Sequence, residues 1–210
     1  MSSAEVLRAL GLRKALGIMR KCPRQHSLTI AGAAVDAGLN VLEITLDSND
    51  ALGQIRELVA ARPHAIVGAG TVHSAAEVEQ AAMAGVQFVV SPMLSESVIA
   101  RALALGLVPV PGVATPTEMA RAIDCGAPAV KLFPAAQLGG PTFVAAVIAP
   151  MRGIKIIPTG GVDASNARQY LDAGSFAIGI GGALFSSDSL RTGDASHIER
   201  SVEKLLRVIT

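Results

Sequence analysis

Tryptophan is absent from this chain, tyrosine occurs once and phenylalanine five times. Large aromatic rings therefore cannot fill the interior, which must be built from Ala, Val, Ile and Leu. Such residues suit parallel strands buried on both faces. Cysteine is equally scarce. Cys22 and Cys125 lie far apart in the sequence, which excludes a disulfide framework and fits a reducing compartment. Formal charge is nearly balanced at +1, and no basic stripe interleaved with aromatics occurs, so no nucleic-acid partner is expected. No apolar run reaches the length of a membrane span, so no membrane association is expected. The opening stretch, MSSAEVLRALGLRKALGIMRK, lacks a charged segment ahead of an apolar run and lacks a small-residue cleavage signature, so a soluble cytoplasmic protein is expected. His26, His64, His73 and His197 form neither a cluster nor a ligand spacing, so neither a metal nor another cofactor is expected.

What the sequence has is apolar bulk and glycine. Half of the 210 residues are hydrophobic and 21 are glycine, without low-complexity repetition. A single domain spanning residues 1–210 is expected, near the lower end of the size of an eight-fold α/β barrel. One pattern recurs: a helical stretch ends in Gly, and a short apolar run follows at once. The glycines are Gly38, Gly85, Gly106, Gly126 and Gly174. Glycine after a helix takes the left-handed conformation that closes it. From Gly85 to Gly126 the spacing is about 20 residues, the size of one strand–helix unit. Strands are expected at residues 15–20, 41–46, 65–71, 88–92, 107–112, 129–134, 154–160 and 176–182, with helices between them capped by residues such as Ser74, Ser95 and Thr115. A further helix is expected at residues 2–10, before the first strand, and a last one at 196–208, where Ile198, Val202, Leu205 and Leu206 recur at helical spacing. The fold class is α/β, and the expected architecture is a closed (β/α)8 TIM barrel with an extra N-terminal helix. An open doubly wound sheet would usually carry a glycine-rich turn after its first strand, whereas that turn reads RKCPRQ.

In such a barrel the active site forms at the C-terminal ends of the strands. Lys131 falls in the middle of the sixth strand, inside AVKLFP. Lysine is almost never fully buried without a partner, and burial of an amine disfavours its charged form. A neutral amine can attack a ketone to form an iminium, an electron sink. Glu43, in VLEITL of the second strand, could move protons beside it. A purely structural pair, each charge balancing the other, is equally open at this point, and one pair can do both. A third element is glycine at two turns: Thr159-Gly160-Gly161 between the seventh strand and a helix expected from about Ala164, and Gly181-Gly182 after the eighth strand. Backbone amides at such turns bind phosphate, although glycine can also do no more than permit a tight turn.

VLEITL, GAGTV, VVSP, PVPGVATPTE, VKLFPA and PTGGV, in that order, resemble the class I aldolases acting on 2-keto-3-deoxy-6-phosphogluconate and 4-hydroxy-2-oxoglutarate, with their relatives acting on 2-keto-3-deoxy-6-phosphogalactonate. The resemblance spans nearly the whole chain. It implies that Lys131 is the Schiff-base lysine and Glu43 the general acid/base. It further implies that Thr71 contacts the pyruvate part, that Pro92 and Phe133 shape the pocket, and that Gly160 and Gly161 bind phosphate. It implies a cytoplasmic homotrimer. Two positions depart from the pattern. Many members carry Arg where this chain has Asp47, which cannot grip a carboxylate. The galactonate-type relatives instead carry Arg at the end of the first strand, so Arg20 is expected to bind the substrate carboxylate. Many members also carry Ser where Ala183 stands, which puts phosphate affinity in question. The expected reaction is cleavage of a 2-keto-3-deoxy-6-phospho sugar acid to pyruvate and glyceraldehyde 3-phosphate. The alternatives are a 4-hydroxy-2-oxoglutarate aldolase or oxaloacetate decarboxylase, and a non-catalytic phosphosugar-binding barrel.

Overall fold

The computed structural model describes residues 2–209; Met1 and Thr210, the outermost residues of the expected domain, lie outside the described residues. Helix α1 (Ser3–Arg13) precedes β1 (Ala15–Met19), and α2 (Arg24–Asp36), β2 (Val41–Thr45), α3 (Ala51–Ala61), β3 (Ile66–Gly70), α4 (Ala75–Met83), β4 (Phe88–Val90) and α5 (Glu96–Ala104) follow. The chain continues through β5 (Val108–Val110), β6 (Gly112–Val113), α6 (Pro116–Asp124), β7 (Val130–Leu132), α7 (Gly140–Ile148), β8 (Ile156–Pro158), α8 (Ala167–Asp172), β9 (Ile178–Ile180), α9 (Ser187–Thr192) and α10 (Ala195–Ile209). No helix among the described residues is long and apolar enough to cross a membrane.

The local signals act as expected. Ser74 and Thr115 each accept a hydrogen bond from the amide three residues on, while Glu77 and Glu118 reach back to the cap; Ser95 caps α5 with its hydroxyl alone. Ser2 makes the same reciprocal cap with Glu5, so α1 begins one residue later than expected and runs on to Arg13. Gly38, Gly85, Gly106, Gly126 and Gly174 all have positive φ.

All pairings among the strands are parallel, in two ladders ordered β5-β4-β3-β2-β1-β9 and β6-β7-β8. The sheet curls, and an isolated parallel bridge joins Thr159 to Gly179. Two expectations need correction. The fifth strand is not continuous: it breaks at Pro111, whose ring removes the amide a ladder needs, so β5 pairs with β4 while β6 pairs with β7. The Pro111 carbonyl still accepts from the Lys131 amide at 2.8 Å. The helix expected from about Ala164 starts at Ala167, because residues 164–166 form a turn in which the Asp163 amide donates to Asn166 Oδ1 at 3.0 Å.

Two apolar layers result. The larger lies between sheet and helices, and contains Met19, Ile44, Ile55, Val130, Tyr170 and Ile198. The smaller lies on the inner face and contains Leu16, Ile18, Val41, Phe88, Val108, Ala129 and Ile157, with Val6 and Leu10 of α1 packed into it.

Candidate active site

Side chains alternate across a strand, so every second residue shares a face. In β2, Glu43 lies two places beyond Val41 of the inner layer; Lys131 lies two places beyond Ala129 of the same layer. Both charged groups are therefore aimed into the space the sheet encloses. Lys131 is 6% exposed and Glu43 is 0% exposed. Their closest approach is 3.9 Å, from Nζ to Oε1. Neither carboxylate oxygen of Glu43 has a hydrogen-bond partner among the described residues. Burial pushes the Glu43 carboxyl above its ordinary range, and the charges of Lys131 and Arg20 offset only part of that rise. Room for the carboxylate comes from Gly70 on β3, where a Cβ would stand 2.5 Å from Oε1. The Lys131 ammonium also lies 5.5 Å from the centroid of the Phe133 ring.

Arg20 follows β1 directly. Its Nη1 donates to Asp47 Oδ2 at 2.9 Å and its Nη2 to Thr71 Oγ1 at 3.1 Å. Partial burial disfavours an ionised Asp47, but the Thr45 hydroxyl and the Arg20 guanidinium outweigh it and hold the carboxyl below its usual value. Thr71 has φ 59, an outlier for a β-branched residue.

The two glycine turns carry unclaimed donors. The backbone amides of Gly160, Gly161, Gly182 and Ala183 donate to no protein acceptor among the described residues. Gly161 has φ 77, and a Cβ on it would collide with that of Ala136. Both turns open onto one cavity of about 640 Å³, a volume suited to a small molecule.

Arg20, Thr71, Pro92, Lys131, Phe133, Thr159, Gly160, Gly161, Gly181 and Gly182 all line this cavity, together with Ala183. Glu43 does not line it but is buried beside Lys131. The cavity also has walls that sequence reasoning did not select: Ile18, His73, Val162, Asp163 and Gly179. Strand alternation could have found Ile18 and Gly179, which share the inward face of their strands. His73 and Asp163 sit on loops after β3 and β8, and no periodicity specifies where a loop side chain points. Among the described residues, no three His, Cys, Asp or Glu side chains come close enough together to share a metal ion.

The chemistry open to this arrangement is narrow. An amine backed by a buried acid without hydrogen bonds borders a cavity that also holds a guanidinium and a set of unsatisfied amides. Such a site can form an imine with a ketone, move a proton next to it, and hold anionic groups on the same molecule.

Comparison with known proteins agrees in kind. The family model described as "Aldolase: KDPG and KHG aldolase" matches residues 6–201. The KHG/KDPG aldolase of Escherichia coli (strain K12) is 36% identical over 178 residues, covering 84% of this chain and 83% of the relative. The 2-dehydro-3-deoxy-6-phosphogalactonate aldolase of the same strain is 35% identical over 191 residues, covering 90% and 89%. Among solved structures, the 2-keto-3-deoxy-6-phosphogluconate aldolase of Zymomonas mobilis ZM4 with 3-phosphoglycerate superimposes with a TM-score of 0.87 at 29% identity, covering 96% of this chain and 95% of that one.

Proposed function

The chain belongs to the KDPG and KHG aldolase family, and on that premise we propose that it is a class I aldolase cleaving a 2-keto-3-deoxy-6-phospho sugar acid, of gluconate or galactonate type, to pyruvate and glyceraldehyde 3-phosphate. The observation that carries this reading is the buried juxtaposition of Lys131 Nζ and Glu43 Oε1 at 3.9 Å beside a cavity of substrate size.

In its neutral form, the Lys131 amine attacks the C2 ketone to give a carbinolamine. Glu43, whose carboxyl burial pushes above its ordinary range, delivers the proton with which hydroxide leaves as water, and an iminium remains. The Glu43 carboxylate then accepts the C4 hydroxyl proton. The C4 oxygen's electron pair becomes the aldehyde carbonyl, the C3–C4 bond breaks, and its electrons neutralise the iminium as an enamine. Protonation at C3 and hydrolysis of the imine release pyruvate and free the lysine. Arg20 grips the C1 carboxylate with donors not used by Asp47 and Thr71. Thr71 contacts the pyruvate part. Pro92, Phe133 and Thr159 shape the pocket around the reacting carbons. The amides at Gly160, Gly161, Gly181 and Gly182 receive the phosphate. Holding one substrate by both anionic ends fixes C2 over Nζ, which is where oriented binding contributes to rate.

The wider architecture is part of the proposal. The chain forms one domain, a closed (β/α)8 barrel with α1 packed into its N-terminal end. The Thr159–Gly179 bridge, and the Lys131 amide donating to the Pro111 carbonyl at the break between β5 and β6, support closure. The protein works as a cytoplasmic homotrimer in Entner–Doudoroff-type sugar-acid breakdown. Exposed Met93 supplies apolar surface for such assembly. The absence of a hydroxyl at Ala183 favours one second reading, cleavage of the unphosphorylated 4-hydroxy-2-oxoglutarate by the same lysine.

The test is borohydride reduction in the presence of pyruvate, followed by peptide mass spectrometry. A reduced pyruvate adduct on Lys131 is expected. Folded protein without that adduct overturns the aldolase reading in favour of a binding protein. Turnover of matched phosphorylated and unphosphorylated acids then separates the two substrates.

A further inference from the structure

Asp47 is the position where this chain departs most sharply in charge from a carboxylate-binding arginine, yet it is not an idle replacement. It stands outside the cavity lining, while its partner Arg20 is part of that lining. The contact is a single ion pair, Nη1 to Oδ2 at 2.9 Å, with the side chains 48% and 31% exposed. At that exposure an ion pair contributes little to stability. The two loops it bridges are joined by other bonds as well. The Lys21 amide donates to Ser48 Oγ at 2.8 Å, and Gln54 of α3 bridges both loops, its Nε2 donating to the Cys22 carbonyl at 3.1 Å and to the Asn49 carbonyl at 2.7 Å. Removing the Asp47 carboxylate therefore leaves the loops tied.

What the pair does fix is the direction of a long, flexible side chain. Arg20 has two anchors at its tip: Asp47 on Nη1, and Thr71 on Nη2 at 3.1 Å. A guanidinium has five N–H donors in a rigid plane, so two anchored points fix that plane and with it the direction of each remaining donor. We propose that Asp47 is the positioning residue for Arg20, holding the guanidinium so that its remaining donors face the substrate carboxylate in the cavity. The inference rests on the reading above, in which Arg20 binds that carboxylate and Lys131 forms the imine. It gives a role to an Asp47 that cannot itself grip a carboxylate: its charge is spent on Arg20, and its geometry makes Arg20 a competent ligand. Ordering one long side chain ahead of binding is worth up to about a tenfold gain in affinity.

The experiment titrates imine trapping on wild type, Asp47→Ala, Asp47→Asn and Arg20→Ala, using pyruvate and, separately, acetone, which offers the same ketone without a carboxylate. Asp47→Asn keeps an oxygen that accepts from Nη1 and removes only the charge. The expected result is a half-saturating pyruvate concentration raised about tenfold in Asp47→Ala and more in Arg20→Ala, returned to within about threefold of wild type in Asp47→Asn, with acetone unchanged in the two Asp47 variants. Equal pyruvate curves for wild type and Asp47→Ala, with Arg20→Ala impaired, overturn the positioning role alone. Equal impairment of both Asp47 variants also overturns it, since charge and not geometry would then be responsible, as does a parallel shift with acetone. An unimpaired Arg20→Ala overturns this inference together with the carboxylate assignment. A wild type that forms no Lys131 adduct overturns the underlying reading as well.

Discussion

Lys131 Nζ and Glu43 Oε1 face each other at 3.9 Å across the interior of the curled sheet, although their strands, β7 and β2, are not neighbours in either ladder. The pair is asymmetric. The amine borders the cavity, whereas the acid is fully buried and neither of its oxygens finds a hydrogen bond among the described residues. Burial makes this carboxylate costly to keep charged and pushes its pKa above the ordinary range, while the facing Lys131 offsets part of that cost.

Lys131→Met removes the nucleophile and keeps an apolar side chain of similar length. Pyruvate-dependent borohydride adducts are expected to vanish, and aldol cleavage to fall by more than about 10³-fold. Peptide mass spectrometry and a pyruvate-release assay check both. Retained cleavage would mean that a different group forms the imine.

Glu43→Gln separates activity from stability. Loss of the acid is expected to lower kcat by about 10²- to 10⁴-fold. Stability moves the other way. The folded-state pKa of Glu43 lies above its ordinary value because of burial. Between the unfolded and folded values the native state binds the extra proton, so stability falls as pH rises through that window. A neutral Gln does not titrate. Thermal melts are expected to show the variant gaining on wild type as pH rises above the ordinary carboxylate range. A constant difference over that rise would mean that the Glu43 carboxyl is not pushed up.

Gly70→Ala tests the space behind the acid. β3 has ordinary extended backbone here, but the added Cβ would lie 2.5 Å from Glu43 Oε1. The carboxylate must move by a fraction of an ångström or more, and misplacement of that order is expected to cost up to about 10²-fold in kcat, with a smaller effect on KM. Steady-state kinetics decide it, and an unchanged kcat would show that the acid's position is not critical.

Ala183→Ser tests the phosphate assignment. The alanine lines the cavity beside Gly182. A hydroxyl there can add a hydrogen bond to an anion, worth about 1.5–3 kcal/mol. KM for a phosphorylated 2-keto-3-deoxy acid is expected to fall by about tenfold or more, with the unphosphorylated acid unaffected. Equal changes for both would remove phosphate from this end of the cavity.

Much of this was legible before any coordinates. The alternation of strands and glycine-closed helices gave the element order, because backbone conformation at Gly38 or Gly126 is a local matter. Ser74 and Thr115 announced their helices for the same reason. Glu43 and Lys131 stood out as charges inside apolar strands, and the turn glycines marked the end expected to bind an anion, whereas the inward facing of the two side chains came from the packed layers. Tertiary structure decided what depends on distance between remote segments. The break at Pro111 left two partial ladders, because losing one amide matters only once the neighbouring strands are in place. The 3.9 Å approach of Lys131 to Glu43 needed the sheet to curl until β7 faced β2. The role of Asp47 needed it most. In sequence it is an acid where a base is expected; in space, at 2.9 Å from Arg20 Nη1, it becomes that base's anchor, because the meaning of a charge is set by its neighbour and not by its position in the chain.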